Sequence, residues 1–272
     1  MIILSNIDVY TYQKLISDIE VFKKKHRDIP VFSIGQSHAG HEIIAIKLGR
    51  GPKKVFYNGA HHAMEWLTSK ILFTFAQDLA DDTYGTNPLL DSACIYIIPM
   101  VNPDGVQIAA DGSRWQANAC GVDLNHNYDA MWQLSKSLEE KNGIFSPGPT
   151  RWGGYYPESE PESRAVANFT RQNKFDMVMA LHSQGEVIYY DFCGYVPPGT
   201  EEYLKRFEAV SRYKRDLPEG ISAYGGYKDW FIKTFKKPGF TIEVGLGENP
   251  LPMEAFEEAY SGVVGILCEG IK

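Results

Sequence analysis

Three short stretches, far apart in the chain, carry side chains that could bind a metal ion and activate water. They are His62 to Glu65, Leu181 to Ser183 and Phe240 to Glu243. Together they supply two imidazoles, one carboxylate and a second carboxylate held apart from the first. A catalytic zinc site uses this set, because it needs three protein ligands, an open position for water and a nearby base. The residue types therefore predict zinc-dependent hydrolysis by a peptidase or an amidase.

His62 and Glu65 stand where a strand pattern gives way to a helix pattern. Three residues apart, they share one helical face and can point at the same ion. His61 is a competing ligand, because its spacing of four residues from Glu65 also fits one metal. The alternative without a metal is a surface ion pair at the start of the helix.

His182 and Glu243 lie at two further apolar strand patterns. His182 follows a strand directly, and open α/β sheets bind ligands outside the carboxyl ends of their strands; a hydrogen-bonded core histidine is the alternative. Glu243 lies within an apolar run, where burial raises the pKa of a carboxyl group toward the range of a general base. A glutamate that faces solvent at the end of a strand is the alternative there.

Helical and extended patterns alternate along the chain around these residues. Helices are predicted near residues 10–26, 65–79, 201–213 and 253–267, and strands near residues 31–34, 43–48, 54–57, 94–100, 176–181, 187–192 and 239–244. Residues 112–161 show little periodicity, and long irregular stretches tend to build binding sites. We expect a single α/β domain over residues 1–272, with a mixed central β-sheet flanked by helices on both faces.

Composition excludes several classes of function. The 272 residues carry a net charge of −7, which argues against a nucleic-acid partner or an anionic membrane surface. No apolar run reaches the roughly 18 residues of a membrane span, and residues 1–8 lack the basic and apolar regions of a signal peptide. The four cysteines contain no C-x-x-C pair, which argues against a disulfide framework. We expect a cytoplasmic protein of undetermined oligomeric state.

Five motifs in this order resemble the zinc metallocarboxypeptidase family. They are His62 to Trp66, Asn102 to Gly105, Gly121 to Asn127, His182 to Ser183, and Asp229-Trp230 followed by Glu243. The resemblance implies that His62, rather than His61, holds one zinc ion per chain together with Glu65 and His182. It also implies that Glu243 accepts a proton from the attacking water and passes it to the leaving amine of a peptide substrate.

Two departures from the family pattern concern the groups that bind substrate. His126 stands where the family has an arginine that clamps the terminal carboxylate, while Asn125 before it remains. A histidine cannot make the bidentate fork of an arginine. Gln116 stands where the family has an arginine that stabilises the oxyanion, and Arg114 nearby is an alternative donor. Which of these two donates to the substrate oxygen is open.

Lys228 is the third departure, at the position where the family places the floor of the specificity pocket. A lysine there favours a substrate side chain that carries a carboxylate; a lysine that reaches solvent is the alternative. The resemblance also implies a mobile tyrosine over the substrate, for which Tyr224 is the first choice and Tyr227 the second.

These departures resemble the bacterial branch that cleaves the γ-D-glutamyl–meso-diaminopimelate bond of cell-wall peptides. Lys228 would meet the side-chain carboxylate of diaminopimelate, and Glu248 or Glu186 could meet its amino group. A carboxypeptidase that releases acidic C-terminal residues is the alternative enzyme. An amidohydrolase of small N-acyl amino acids would use the same metal ligands, and a non-catalytic module that binds wall peptides would keep the same fold.

Overall fold

The computed structural model describes residues 8–272. Residues 1–7, which make up most of the stretch that lacks the pattern of a signal peptide, lie outside the described residues. Among residues 8–272, no helix combines the length and the apolar character that crossing a bilayer demands.

One mixed sheet of eight strands runs through the described part of the chain. In sequence order the strands are β1 (Val31–Gln36), β2 (Glu42–Gly49), β3 (Lys53–Gly59), β4 (Ala93–Ile98), β5 (Met177–His182), β6 (Val187–Tyr189), β7 (Lys214–Asp216) and β8 (Gly239–Glu243). Their spatial order is β1-β2-β4-β3-β5-β8-β6-β7. The four central strands β4, β3, β5 and β8 are parallel, while β1, β2 and β6 pair with their neighbours antiparallel at one or both edges.

Nine α-helices connect and cover these strands within residues 8–272. They are α1 (Tyr12–Lys25), α2 (Trp66–Ala80), α3 (Asn87–Ser92), α4 (Pro103–Ala109), α5 (Trp132–Lys141), α6 (Pro161–Asn173), α7 (Thr200–Val210), α8 (Tyr227–Phe235) and α9 (Phe256–Ile271). The predicted α/β architecture is therefore confirmed, with one mixed sheet and helices on both of its faces.

The sheet is buried on both faces by two separate cores. Successive side chains of a strand point to opposite faces, and on β3 the side chains of Val55 and Tyr57 join one core while Phe56 joins the other. Helices α1, α2, α7 and α9 cover the first face, and α6 and α8 cover the second. A strand that is buried on both sides consists almost entirely of apolar residues. The central strands could therefore be predicted from continuous apolar runs in the sequence.

Five helices (α3, α4, α5, α6 and α8) and the short strand β7 were not predicted. The prediction treated residues 102–105 as a turn, but Asn102 caps α4 by accepting a hydrogen bond from the backbone nitrogen of Gly105. It also treated residues 224–227 as a loop, whereas α8 begins at Tyr227. Residues 112–161 are irregular as expected, apart from α5 and a single turn of 3-10 helix at Leu124–His126.

Candidate metal centre and catalytic cleft

Three parallel strands end side by side at one edge of the sheet and carry the predicted metal ligands. β3 ends at Gly59, just before His62, and β5 ends at His182. β8 ends at Glu243, which is the register partner of His182. Because register partners on parallel strands point to the same face, the sheet itself brings these two side chains together. The topology of the central strands therefore positions two of the four groups.

Glu65 is positioned by the start of α2. It is the residue before the first helical residue, Trp66, and it is only 2% exposed. The preceding loop is fixed by main-chain bonds, since the backbone nitrogens of Ala63 and Met64 donate to the carbonyls of Gln116 and Trp115. A carboxylate at the positive end of a helix dipole is electrostatically favoured.

The side chains of His62, Glu65 and His182 converge on one point. The two Nδ1 atoms of the histidines lie 3.2 Å apart. One oxygen of Glu65 lies 3.0 Å from Nδ1 of His62, and the other lies 3.0 Å from Nδ1 of His182. Donors held roughly 2.0–2.1 Å from a tetrahedral ion are separated by about 3.3 Å. Both the donor types and their separations therefore fit a divalent zinc-like ion.

Asp123 orients the first of these ligands from behind. Its Oδ1 accepts from Nε2 of His62 at 3.1 Å and from the backbone nitrogen of Asn125 at 3.1 Å. Its Oδ2 accepts from the backbone nitrogen of Arg151 at 2.9 Å. A carboxylate on the far nitrogen fixes the tautomer, so that Nδ1 of His62 offers its lone pair to a metal. The Asp123 carboxyl is buried, but its pKa lies well below the usual range, held there chiefly by His62.

Asn249 supports the second side of the centre. Its Nδ2 donates to Oε1 of Glu65 at 3.3 Å and to the carbonyl of Ser183. The hydroxyl of Ser183 donates to Oδ1 of the same asparagine at 2.7 Å. Burial alone would raise the pKa of Glu65, but the charges of His62 and His182 and their hydrogen bonds hold it at about 2. Glu65 is therefore ionised, as a metal ligand must be.

Glu243 is chemically distinct from Glu65 although both carboxyl groups line the same cleft. Burial, with the charge of Glu65 as the second cause, raises the pKa of Glu243 to about 8. Two carboxyl groups with opposite pKa shifts divide the roles, since one stays ionised as a ligand while the other can take up a proton near neutral pH. A bound dication opposes the rise at Glu243 by favouring its ionised form.

His61 is excluded as the competing ligand by its position. Its ring is fully buried, and Nε2 lies 2.8 Å from the hydroxyl oxygen of Tyr128. The ring stacks on Tyr227 with centroids 5.7 Å apart and on His182 at 5.9 Å. His61 therefore packs beneath the ligands. Two groups of donor atoms in residues 8–272 are close enough for one ion, and one of them contains His62 while neither contains His61.

A cleft of about 360 Å³ opens over this centre, and we call it the catalytic cleft. Its lining includes His62, Glu65, Gln116, Asp123, Asn125, His126, Arg151, His182, Ser183, Gln184, Tyr189, Pro218, Glu219, Ser222, Lys228, Thr241, Glu243 and Asn249. Five of these residues come from the irregular stretch 112–161, which therefore walls the site as expected.

Comparison with known proteins agrees with this geometry. A zinc carboxypeptidase family model matches residues 15–262. The chain belongs to the zinc carboxypeptidase family. It is 34% identical to γ-D-glutamyl-L-diamino acid endopeptidase 1 of Lysinibacillus sphaericus over 96% of this chain and 72% of the relative. It is 29% identical to mast cell carboxypeptidase A of Rattus norvegicus over 86% of this chain and 63% of the relative.

A solved structure shows the same fold. Bovine thrombin-activatable fibrinolysis inhibitor, solved with a tick carboxypeptidase inhibitor, superposes with a TM-score of 0.80 at 25% identity, covering 97% of this chain and 96% of the other. The family is one of zinc peptidases, so this chain is a hydrolytic enzyme and zinc is the metal that its donor set implies.

Asn125 and His126 lie in the cleft wall of this carboxypeptidase fold, at the 3-10 turn capped by Asp123. Oδ1 of Asn125 accepts from the backbone nitrogen of Tyr227 at 3.0 Å, which leaves its NH₂ group for a substrate oxygen. His126 is 5% exposed, with Nδ1 3.3 Å from the hydroxyl oxygen of Ser135. Burial, with the charge of Arg151 as the second lowering cause, lowers the pKa of His126 to about 4, so its ring is neutral at pH 7.

Arg114 requires a correction. Its side chain is 71% exposed and pairs with Glu248 at 2.6 Å, and it is absent from the lining of the catalytic cleft. Gln116 does line the cleft, and its Oε1 accepts from the hydroxyl of Thr150. That bond directs the remaining NH₂ group of Gln116 away from Thr150. Of the two candidate oxyanion donors, only Gln116 lines the catalytic cleft.

The two candidate tyrosines also lie outside the catalytic cleft. Tyr224 lines a neighbouring cavity with Asp191 and Asp229. Tyr227 is fully buried, with its hydroxyl 2.9 Å from Oγ1 of Thr170, so it belongs to the core beneath α8. Its aromatic side chain is held there by packing, which excludes it as a mobile lid. The tyrosine that does line the cleft is Tyr189, at the end of β6.

Lys228 is one of the residues that line the catalytic cleft. It is only 3% exposed, so the alternative of a lysine that reaches solvent is wrong. Its ammonium group contacts the carboxylate of Asp229 and donates to the main-chain oxygen of Asp191. Gly225 shapes this region, because its φ of +79° and its close approach to the His126 backbone allow the chain to turn into α8.

Glu186 and Glu248, the two residues predicted to meet a substrate amino group, lie elsewhere. Glu186 is held by Arg212 through two bonds of 2.6 and 2.7 Å, and Glu248 is paired with Arg114. Neither residue lines the catalytic cleft. The acidic group that contacts Lys228 is instead that of Asp229, which was not singled out as a partner.

Several site residues were not predicted from the sequence. Asp123 stands within the quoted motif Gly121 to Asn127, and its place two residues before Asn125 was a usable signal. Arg151 and Ser222 lie in loops with no motif, and Asn249 stands six residues after Glu243. Only the folded chain brings these side chains to the cleft.

Proposed function

We propose that this enzyme hydrolyses the γ-D-glutamyl–meso-diaminopimelate bond of peptides derived from peptidoglycan. The observation that carries the proposal is Lys228, a buried cation that lines a cleft with a zinc-type ligand set. The 34% identical relative, named for cleavage between γ-D-glutamate and an L-diamino acid, supports the same substrate class.

The surroundings of Lys228 suit a side chain that carries both charges. Lys228 offers a positive charge, and the carboxylate of Asp229 lies in contact with it. The side chain of diaminopimelate ends in an ammonium group and a carboxylate on the same carbon. Its carboxylate would face Lys228 and its ammonium group would face Asp229, so that opposite charges meet. A simple acidic side chain would match Lys228 alone.

The residues divide the work of amide hydrolysis. His62, Glu65 and His182 would hold one zinc ion per chain, which supplies Lewis-acid polarisation of the scissile carbonyl and lowers the pKa of water. Glu243 accepts the proton of the attacking water and donates it to the leaving amine, a double role that its raised pKa favours. Gln116 donates a hydrogen bond to the oxygen that becomes negative.

A paired assay tests the proposal. The zinc-loaded enzyme is offered L-Ala-γ-D-Glu-meso-diaminopimelate and an α-linked peptide that ends in glutamate, and the products are separated by mass. We expect cleavage of the γ-linked tripeptide to dominate. Faster release of the α-linked glutamate would assign the alternative, a carboxypeptidase for acidic C-terminal residues. Tight binding of both peptides without cleavage would assign a wall-peptide-binding module.

Removal and return of the metal tests the centre itself. Protein stripped with a chelator should lose hydrolysis and recover it with one equivalent of zinc per chain, because three of the four tetrahedral positions come from the protein. We further propose that residues 1–272 act as a single catalytic domain. A cytoplasmic location remains a prediction from the sequence, which cell fractionation would test.

A further inference from the structure

Arg151 lines the catalytic cleft, and its backbone has a conformation that is unusual for a residue other than glycine. It lies in the loop between α5 and α6, with a φ of +68°. Side chains other than glycine rarely adopt this left-handed region, and such strain concentrates at functional positions. The conformation is held by the bond from its backbone nitrogen to Oδ2 of Asp123 at 2.9 Å. The loop is therefore fixed to the same carboxylate that orients His62.

The guanidinium of Arg151 has no carboxylate partner in the described part of the chain. Elsewhere on the surface Arg114 pairs with Glu248, and Arg212 pairs with Glu186. The one side-chain bond of Arg151 runs from Nη1 to the hydroxyl oxygen of Ser222 at 2.6 Å. A guanidinium presents five donors in a planar fork that matches a carboxylate. Arg151 is therefore equipped for an anion that the protein itself does not supply.

The cleft lining within residues 8–272 contains two permanent cations, Lys228 and Arg151. His126 lines the same cleft but is neutral at pH 7, so it adds no charge there. A diamino acid at the end of a peptide has two carboxylates, one on its side chain and one on its main chain. One cation is thus available for each carboxylate of the same residue.

We propose that Arg151 anchors the main-chain carboxylate of the amino acid that is released, while Lys228 binds its side chain. The proposal rests on the proposed peptidase function and identifies the residue that selects a free C-terminal carboxylate. Substrate binding exchanges the Ser222 hydroxyl for a carboxylate on the same guanidinium. A bidentate contact between opposite charges replaces a single bond to an uncharged hydroxyl, so the exchange favours substrate.

Comparison of a peptide acid with its amide isolates this contact. The tripeptide is assayed with a free C-terminal carboxylate and with a C-terminal amide, on the wild type and on Arg151→Ala. We expect the wild type to prefer the acid by about 10- to 100-fold in kcat/KM, mainly through KM, because a hydrogen-bonded charge pair has that strength. Arg151→Ala should lose this preference and treat the acid and the amide alike.

Three further variants separate anchoring from a structural role. Arg114→Ala is the matched control, because this exposed arginine lies outside the cleft and should keep the wild-type preference. Arg151→Lys retains the charge but not the fork and should restore part of the preference. Introduction of His126→Arg into the Arg151→Ala variant places a guanidinium in the same cleft, and partial recovery for the acid alone would show that the lost function is carboxylate binding.

The proposal is overturned if Arg151→Ala slows hydrolysis of the acid and the amide by the same factor. It is also overturned if the wild type shows no preference for the acid. Because each comparison uses two forms of one peptide, it can be run on whichever linkage the enzyme cleaves fastest. A failure of the γ-linked substrate would therefore contradict the proposed function and leave the test of Arg151 intact.

Discussion

The two sides of the catalytic cleft are built in different ways. On the sheet side, His182 and Glu243 end neighbouring strands in fixed register, and His62 and Glu65 follow the end of β3 and precede α2. On the loop side, the lining residues come from the irregular stretch 112–161 and from residues 218–222. His182 and Glu243 are thus held by a hydrogen-bonded ladder, and His62 and Glu65 lie in the short turn between β3 and α2. The groups on the loop side are held by turns alone.

The difference assigns chemistry to the sheet and selectivity to the loops. Ladder register determines which side chains meet, so the metal ligands and the base tolerate little change in position. Loops can be altered without disturbing that register, and binding residues accordingly concentrate on loops carried by a rigid scaffold. His126, a departure from the family pattern on the loop side, fits this division. Gln116 and Asp123 are exceptions, because Gln116 is the proposed donor to the substrate oxygen and Asp123 bonds both His62 and Arg151.

The largest effect is expected on the sheet side, from loss of the base. Glu243→Gln keeps the shape of the side chain but cannot accept a proton from water, so kcat should fall by about 10²- to 10⁴-fold. Zinc content should stay the same, because the three ligands are intact. Steady-state kinetics and metal analysis of the same preparation measure both quantities.

Glu248→Gln is the matched control for loss of the base, since Glu248 is an exposed carboxylate outside the cleft. It should retain the wild-type kcat. Retention of activity in Glu243→Gln would show that proton transfer occurs elsewhere, and the division between the two sides of the cleft would lose its main support.

Asp123 links the two sides of the catalytic cleft, and a substitution of this residue tests that link. Asp123→Asn removes the charge behind His62 and weakens the fixed tautomer, so zinc affinity or activity should fall by about 10- to 100-fold. Competition with a chromophoric chelator measures the affinity. Asp104→Asn is a suitable comparison, because Asp104 is another buried carboxylate that bonds a histidine, His41, outside the cleft. Equal zinc affinity in both variants would exclude Asp123 as a support of the metal centre.

The sequence was informative where regular elements and apolar runs dominate. Continuous apolar strands and the residues at their ends indicated the sheet and the groups His62, Glu65, His182 and Glu243, since strand ends are where α/β sheets bind ligands. Helix α5 was missed because it buries only Ser135 and Glu139 and so shows no apolar stripe. Helix α8 was missed because Gly225 and Gly226 read as a loop, although they only precede the helix.

The loop side shows why the remaining site residues were out of reach. Arg114 and Arg151 are both arginines in irregular sequence, yet one pairs with Glu248 on the surface and the other enters the cleft. Their fates are set by loop conformation, in particular the left-handed φ of Arg151 and its bond to Asp123. No periodic pattern encodes such a contact, because it joins residues 28 positions apart through a single backbone nitrogen.

A smaller and more selective effect is expected at Lys228. Lys228→Met retains the length of the side chain and removes its charge, so the preference for a diaminopimelate peptide over its lysine analogue should fall by about 10-fold. The ratio of kcat/KM values within each variant is the quantity to compare, because loss of the lysine also leaves Asp229 without its partner. Lys233→Met on the exposed side of α8 should leave the ratio unchanged.

The smallest expected effect is on stability. It tests the environment of Glu243 separately from the role of this residue in catalysis. In metal-free protein its pKa rises from an ordinary 4.5 to about 8, chiefly through burial. The stability that this group contributes is fully present below the unfolded-state pKa and is lost as pH rises through the folded-state pKa. Between about pH 5 and pH 8, the free energy of unfolding of the metal-free wild type should therefore fall more steeply than that of Glu243→Gln.

Urea denaturation in the presence of a chelator measures how the free energy of unfolding changes with pH in the wild type and in Glu243→Gln. Across that pH range, the decrease should be larger in the wild type by on the order of 1–4 kcal/mol. Glu248→Gln should follow the wild type, because its carboxylate is exposed. Parallel curves for the wild type and Glu243→Gln would mean that Glu243 titrates normally in the folded protein. The sheet side would then hold its base in position without altering its proton affinity, and the raised pKa would be removed from the account of proton transfer.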